Sequence, residues 1–241
     1  MLLYLGLGIA NCIHDNNFIV MILIDILKTH NHQISERLMH IAILTFDAFN
    51  ELDSLIALGI LNRIKTPGWQ VSIASPTPKV KSMNGLTIER HINLSEACEA
   101  DAVIVGSGMK TREIVADQQI MQQLKLDPSR QLIAAQCSGT LVLAKLGLLN
   151  DIPACTDLTT TPWVKEAGIN VLNQALYAKG NIATAGGCIA SQYLATWVIA
   201  KSQGIEAAKD ARQRDQVGQQ EQRPLEVQAQ ASAFAAALLG R

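Results

Sequence analysis

The chain has 241 residues, of which 49% are apolar and 4% aromatic, so we expect a large core built from Leu, Ile, Val and Ala. Its 20 basic and 21 acidic residues give a net charge of −1, which argues against a nucleic-acid or anionic-membrane partner. The five cysteines are widely spaced and form no CxxC pair, which predicts neither a disulfide framework nor a zinc site. We therefore expect a cytoplasmic protein without a metal or a cofactor.

The two ends of the chain differ in composition from the middle. Two apolar runs near the start, at 2–13 and 18–27, are shorter than the roughly 18–20 residues that a membrane span needs. We interpret residues 1–38 as an appendage that is not translated in the cell, with an extra helix packed on the domain as the alternative. The predicted domain covers 39–204, and 205–241 is a Gln-rich tail that we expect to be partly disordered.

Between these ends, short apolar runs alternate with segments of helical periodicity. In chain order they predict a strand at 39–44, a helix at 50–65, a strand at 71–74, a hairpin at 80–82 and 86–90, a strand at 102–105, a helix at 111–126, a strand at 132–135, a helix at 139–149, short strands at 170–172, 175–178 and 181–185, and a helix at 189–202. This alternation indicates an α/β domain with an open parallel sheet and helices on both faces. In such sheets, reactive side chains gather just beyond the carboxyl ends of the strands.

The turn after the strand at 132–135 carries Cys137. An apolar strand, a cysteine and a helix that begins with small residues resemble a nucleophile elbow, in which a sharp turn pushes one side chain above the sheet. Unpaired N–H groups at the start of the helix would favour the thiolate, so we expect a lowered pKa for Cys137. The alternative is that Cys137 is a small buried core residue.

Two further turns lie at the same edge of the predicted sheet. Gly106-Ser107-Gly108 follows a buried strand and offers backbone N–H groups that could stabilise an oxyanion. Asp53 lies three residues after Asn50, which is the spacing of a capping box and the structural interpretation of this acid. The functional interpretation is that Asp53 faces the thiol across the sheet edge.

Three segments of the chain together resemble the ThiJ/PfpI superfamily, whose members are class I glutamine amidotransferase-like. QCSGTLVLAKLGLL at 136–149 is similar to its Cys-Thr-Gly elbow and LAxxGLL helix. TAGG at 184–187 matches a turn of its isonitrile-hydratase-like and regulator-like branches, and FDAFNELD at 46–53 is similar to their F-x-G-x-x-x-L-D segment. The resemblance runs over 39–204 and implies a flavodoxin-like fold that is usually dimeric.

The resemblance also implies roles for individual residues. Cys137 becomes the nucleophile, and Asp53 becomes the acid that hydrogen-bonds to it. Backbone donors and small side chains complete the implied pocket at Ser107, Gly108, Ser138, Gly186 and Gly187.

Several positions depart from the pattern of the superfamily. Ile56-Ala57 stands where it has Gly-Pro, and GSG at 106–108 stands where it has Pro-Gly-Gly. CTDL at 155–158 replaces T-T-H-W, so a pocket His and Trp are missing. Ser, rather than the His of protease-like members, follows Cys137, so a Cys–His mechanism is disfavoured.

The predicted function is a cysteine-dependent hydratase or hydrolase of the isonitrile-hydratase-like kind, acting on a small molecule and working as a homodimer. Thiolate Cys137 would add to an electrophilic carbon while Asp53 shuttles the proton. Two alternatives use the same fold: a ligand-sensing domain that binds without reacting, and a thiol stress-response protein or aldehyde-detoxifying enzyme that uses the same residues.

Overall fold

The computed structural model describes residues 38–215, with side chains through residue 211. Residues 39–65 and 69–215 belong to one compact unit. The interpretation of the first 38 residues as an appendage, apart from Leu38 itself, concerns residues outside the described part of the chain.

A mainly parallel sheet forms the centre of this unit. The strands of the described chain are β1 (Met39–Leu44), β2 (Trp69–Ala74), β3 (Lys79–Lys81), β4 (Thr87–Glu89), β5 (Ala102–Val105), β6 (Leu132–Gln136), β7 (Leu176–Lys179) and β8 (Ile182–Ala185). One sheet has the order β2-β1-β5-β6-β8-β7, and β3 pairs with β4 as a separate hairpin. Neighbours from β2 through β8 run parallel, as crossovers that contain helices require. The predicted flavodoxin-like α/β fold is confirmed.

Strand β7 departs from the parallel pairing of the other strands in this sheet. It pairs antiparallel with β8, and Lys179 lies opposite Ile182. Only Gly180 and Asn181 separate these two residues, and Gly180 has a φ of 62°. A two-residue turn folds a strand back onto its neighbour, so β7 becomes an antiparallel edge strand.

Helices cover both faces of the sheet. They are α1 (Glu51–Leu61), α2 (Leu94–Cys98), α3 (Thr111–Ala116), α4 (Gln118–Gln123), α5 (Gly139–Lys145), α6 (Thr161–Glu166), α7 (Ser191–Gln203) and α8 (Ile205–Asp215). Helices α1, α7 and α8 pack on the face that carries Ile41 and Ile43, and α2 to α6 pack on the face of Ala42 and Leu44. Successive side chains of β1 thus pack into opposite layers of the core, because side chains alternate between the two faces of a strand.

Local differences from the predicted elements have identifiable causes. The predicted helix at 111–126 is two helices, because the side chain of Asp117 accepts hydrogen bonds from two backbone N–H groups of the following turn and caps α4. The predicted strand at 170–172 is reduced to a single bridge at Val171. Helices α2 and α6 are too short to show a helical period and were not predicted.

Helix α8 lies in the segment that the sequence predicts to be a tail. Its Ala208 and Ala211 are buried and pack into the same core layer as α1 and α7. The fold therefore continues past residue 204, and partial disorder stays a prediction for the residues beyond 215. Within 38–215, no helix combines the length and the apolar character that crossing a membrane requires.

Candidate active site

Cys137 stands at the point where β6 ends and the chain turns into α5. Its φ of 52° lies in the left-handed region, and its N–H donates to the carbonyls of Ala185, the last residue of β8, and of Gly186, at 3.1 and 3.0 Å. A Cβ on Gly139 would lie 2.5 Å from the carbonyl oxygen of Val105, so only glycine lets α5 begin this close to β5. These contacts hold the sulfur above the sheet edge in a strained turn.

The thiol of Cys137 donates a hydrogen bond to Oδ2 of Asp157 at 3.1 Å. Burial raises the pKa of Cys137 far above its ordinary value, and the nearby charges of Asp53 and Asp157 add to this shift. The prediction that the helix start lowers the pKa of Cys137 is therefore wrong. The amide groups at the start of a helix carry only weak partial positive charges. Here burial and the two carboxylates favour the neutral thiol and outweigh these amides.

Asp53, on the first turn of α1, is buried beside the elbow. Its Oδ1 accepts a hydrogen bond of 2.6 Å from Nε2 of Gln136, and its Oδ2 accepts one from Oγ of Ser107. Burial raises the pKa of Asp53 to about 6, although donors from Ser107 and Cys188 oppose the shift. The carboxylate therefore faces the site and does not act as the N3 residue of a capping box.

The predicted hydrogen bond between Asp53 and Cys137 is replaced by another arrangement. A carboxylate oxygen of Asp53 and the sulfur of Cys137 lie within 4.8 Å of each other, but the thiol proton points to Asp157. Asp53 already accepts two hydrogen bonds from fixed neighbours, so the thiol turns to the carboxylate on its other side. The sulfur of Cys137 thus lies near the carboxylates of both Asp53 and Asp157.

Asp157 is the site residue that sequence reasoning missed. Its Oδ1 accepts hydrogen bonds from the N–H groups of Thr159 and Thr160, at 2.8 and 3.0 Å. Burial opposes ionisation of Asp157, but donors from Thr160 and Cys137 outweigh it and hold its pKa below the ordinary value. In the resemblance described above, this position is that of the missing pocket His, so a carboxylate stands where an imidazole was expected.

Gln136 is a second residue that the sequence did not single out, because the predicted strand ended before it. It is fully buried, and its Nε2 also donates to the carbonyl oxygen of Cys188 at 2.5 Å. Acceptors surround this nitrogen, which fixes the orientation of the amide. Its Oε1 has no hydrogen-bond partner within the described residues, so one buried acceptor remains open beside the site.

The predicted oxyanion loop is tied to the elbow by side chains. The N–H of Gly108 donates to Oγ of Ser138 at 3.2 Å, and that oxygen lies 2.7 Å from Oγ1 of Thr111. A Cβ on Gly108 would lie 2.5 Å from the carbonyl oxygen of Ala48, which explains a glycine here. The predicted donor at Gly108 is therefore already engaged. Ser107 contributes its hydroxyl to Asp53 instead.

The Gly186-Gly187 turn and Cys188 close the other side of the site. Gly186 and Gly187 contribute through their carbonyl oxygens, which accept from the N–H of Cys137 and the amide of Gln136. One carboxylate oxygen of Asp53 and the sulfurs of Cys137 and Cys188 all lie within 4.8 Å of one another. Such a set of two sulfurs and a carboxylate oxygen could hold a soft metal ion.

A comparison of the sequence with models of protein families shows which family the chain belongs to. The model of the DJ-1/PfpI family matches residues 39–201, well over half of the chain. The chain belongs to the DJ-1/PfpI family. A comparison with curated proteins finds no match.

Solved structures of DJ-1/PfpI proteins share the fold at low identity. A ThiJ/PfpI family protein from Pseudomonas syringae superposes with a TM-score of 0.65 at 17% identity, covering 84% of this chain and 91% of that one. Schizosaccharomyces pombe DJ-1 gives 0.64 at 15% identity, covering 73% and 98%. A two-domain protein from Anabaena variabilis, with DJ-1/ThiJ/PfpI-like and ferritin-like domains, gives 0.62 at 23% identity and 70% coverage, and this chain spans 49% of its length.

Proposed function

We propose that this DJ-1/PfpI protein is a cysteine-dependent hydratase or hydrolase of a small molecule with an electrophilic carbon, for which an isonitrile is the model substrate. One observation carries the proposal. The Cys137 thiol lies beside two carboxylates whose pKa values are shifted in opposite directions, upward for Asp53 and downward for Asp157. When the surroundings raise the pKa of one carboxyl group and lower that of its neighbour, the first can act as an acid and the second as a base. We expect this chemistry in the cytoplasm, which keeps the thiol reduced.

The raised pKa of Cys137 requires a base that acts during the attack. As the sulfur bonds to the terminal carbon of the isonitrile, Asp157 removes the thiol proton over the existing 3.1 Å hydrogen bond. Asp53, which is partly protonated near neutral pH, gives a proton to the carbon, and the product is a thioimidate.

Water completes the reaction with the same two acids. It adds to the thioimidate carbon, and Asp53 passes the proton of the water to the nitrogen. When the carbon–sulfur bond breaks, the sulfur recovers its proton from Asp157 and the hydroxyl proton returns to Asp53. The product is a formamide, and all three groups return to their starting protonation states.

Two measurements on the Asp157→Asn variant test whether Asp157 acts as the base or only lies next to the thiol of Cys137. Turnover of an aliphatic isonitrile to its formamide should fall about a hundredfold or more, because the base is gone. Alkylation of Cys137 by iodoacetamide at pH 7 should become faster than in the wild type, because removing the anion lowers the pKa of the thiol. Asp151→Asn removes the same charge from an exposed loop and should change neither rate.

The two readouts must move in opposite directions. A variant Asp157→Asn that turns over the isonitrile at the wild-type rate contradicts the assignment of the base. Cys137→Ala should abolish turnover and Asp53→Asn should reduce it strongly, and full activity in either variant rules out the mechanism.

A ligand-sensing domain that binds without reacting is the second candidate. It is favoured by the engaged N–H of Gly108, which leaves one expected oxyanion donor unavailable to a substrate. Tight binding of an isonitrile or formamide without turnover, measured by calorimetry, would select it. The homodimer also stays a proposal that rests on the family, and sedimentation of the full chain tests it.

A further inference from the structure

Cys188 stands within the site but has no part in the reaction proposed above. It begins a short turn, Cys188–Ala190, directly after the two glycines that follow β8. Its sulfur lies within 4.8 Å of the sulfur of Cys137. Two free thiols from separate segments of the chain therefore lie close together, and the proposed reaction uses only one of them.

The two sulfurs can approach to bonding distance through local movement. A disulfide needs a sulfur–sulfur distance of about 2.05 Å, so rotation of the side chains and a shift of the turn must close the remaining gap. There is open space beside Gly187, where a Cβ would meet no atom within 4 Å, and the shift must lengthen the hydrogen bonds from Gln136 to the carbonyl oxygens of Gly187 and Cys188. Ile189 on the other side of Cys188 is 69% exposed, so solvent surrounds much of the turn.

The surroundings of the two thiols indicate which one an oxidant meets first. Cys188 is half-buried, whereas Cys137 is 9% exposed. Nδ2 of Asn50 donates to the sulfur of Cys188 at 2.9 Å, and a donor of this kind stabilises a thiolate. The proton of Cys137 is instead held by Asp157. Burial and the charge of Asp53 raise the pKa of Cys188 as well, and the donor from Asn50 opposes this shift. Cys137 is more deeply buried and lies beside two carboxylates, so Cys188 is the more accessible thiol and the one whose ionisation is opposed less.

We propose that Cys188 is oxidised by a hydroperoxide and that Cys137 then closes an intramolecular disulfide with it. The sulfur of Cys188 bonds to one peroxide oxygen while the oxygen–oxygen bond breaks, and the thiol proton of Cys188 leaves with the alcohol or water released. Cys188 becomes a sulfenic acid.

The second step uses the two acids already at the site. Cys137 gives its proton to Asp157 and attacks the sulfur of Cys188, and the sulfur–oxygen bond breaks. The hydroxyl leaves as water with a proton from Asp53. One peroxide is reduced and two thiols are oxidised, and a dithiol reductant restores both. The disulfide occupies the Cys137 sulfur, so it also blocks any chemistry of that nucleophile.

Mass spectrometry of the full chain tests this disulfide without reference to turnover. One equivalent of hydrogen peroxide should produce a species that lacks two hydrogen atoms, whose digest links the peptides of Cys137 and Cys188 and which dithiothreitol reverses. Cys98→Ser, a buried cysteine outside the site, should form the same link. In Cys137→Ser, Cys188 should accumulate as a sulfenic acid that dimedone traps.

A second variant tests the order of the two steps. Asn50→Asp keeps an acceptor for the cap of α1 but removes the donor to Cys188, so peroxide should consume thiols about tenfold more slowly. Sulfinic acid on Cys137 with Cys188 still reduced, or a wild-type rate in Asn50→Asp, would overturn the proposal. Such an outcome would leave the hydratase proposal standing, since that reaction does not use Cys188.

Discussion

At the scale of single residues, Ala48 stores backbone strain beside the site. Its φ of 59° is left-handed, at the position where the similar family segment has Gly. Backbone hydrogen bonds fix it there, since its N–H donates to Lys81 and its carbonyl accepts from Met109. A residue with a Cβ loses roughly 1–2 kcal/mol in this conformation. Ala48→Gly should therefore raise the free energy of unfolding by about 1 kcal/mol, measured by urea denaturation.

Asp151 provides the control for this prediction. Its φ is 60°, but aspartate tolerates the left-handed region better than alanine because its short polar side chain hydrogen-bonds locally. Asp151→Gly should thus stabilise the protein by less than Ala48→Gly does. Equal effects, or a loss of stability in Ala48→Gly, would show that strain at Ala48 is not the controlling factor.

The site residues that the sequence indicated belong to local patterns, whereas the residues that it missed have roles that depend on contacts in the folded chain. Cys137 and Asp53 each belong to a recognisable local pattern, an elbow and a helix start. Asp157 is 20 residues from Cys137 along the chain, and its role depends on how that loop packs over the elbow. Gln136 looks like the polar end of a strand, and its pairing with Asp53 exists only in the folded chain. Local patterns therefore indicated the elbow position of Cys137 but not the carboxylate that accepts the hydrogen bond of its thiol.

At the scale of secondary structure, the interrupted helix at α3 and α4 shows how one side chain sets an element boundary. Asp117 has an extended backbone conformation, and its Oδ1 accepts from the N–H groups of Gln119 and Ile120 at 2.8 and 3.2 Å. Asp117→Ala removes the cap of α4 and should lower the free energy of unfolding by about 1 kcal/mol, measured by urea denaturation.

Asp117→Asn is the matched control, because Asn caps helices about as well as Asp. It should cost only a few tenths of a kcal/mol. If Asp117→Ala left stability unchanged, the segment would tolerate one continuous helix, as the periodicity at 111–126 predicted, and the cap would not control the boundary.

The elements that could be predicted share strong local signals. The apolar runs at β1 and β5 predicted the observed bounds of these strands, and the helical segments at α1 and α7 were predicted to within a few residues. Strand direction at β7 was not foreseen, since it depends on the two-residue turn at Gly180 and not on the apolar pattern. Short helices such as α2, which has five residues, give periodicity too little length to be detected.

At the scale of the whole molecule, the buried carboxyl of Asp53 makes folding stability depend on pH. Its pKa is raised from 3.8 to about 6, so the folded state holds this proton more tightly than the unfolded state. The stabilising contribution is fully present below pH 3.8 and is lost as pH rises through 6. A shift of this size corresponds to about 2 to 3 kcal/mol.

Asp53→Asn removes this titration and nearly preserves the shape of the side chain. The difference in free energy of unfolding between Asp53→Asn and the wild type should increase by about 2 kcal/mol from pH 4 to pH 7.5, in urea denaturation at constant ionic strength. Asp157→Asn should not reproduce this slope. The pKa of Asp157 is lowered, so its contribution is present above the ordinary value of 3.8 and is lost only as pH falls below it. A flat difference for Asp53→Asn would mean that Asp53 is ionised throughout this range and is not the proton donor of the proposed reaction.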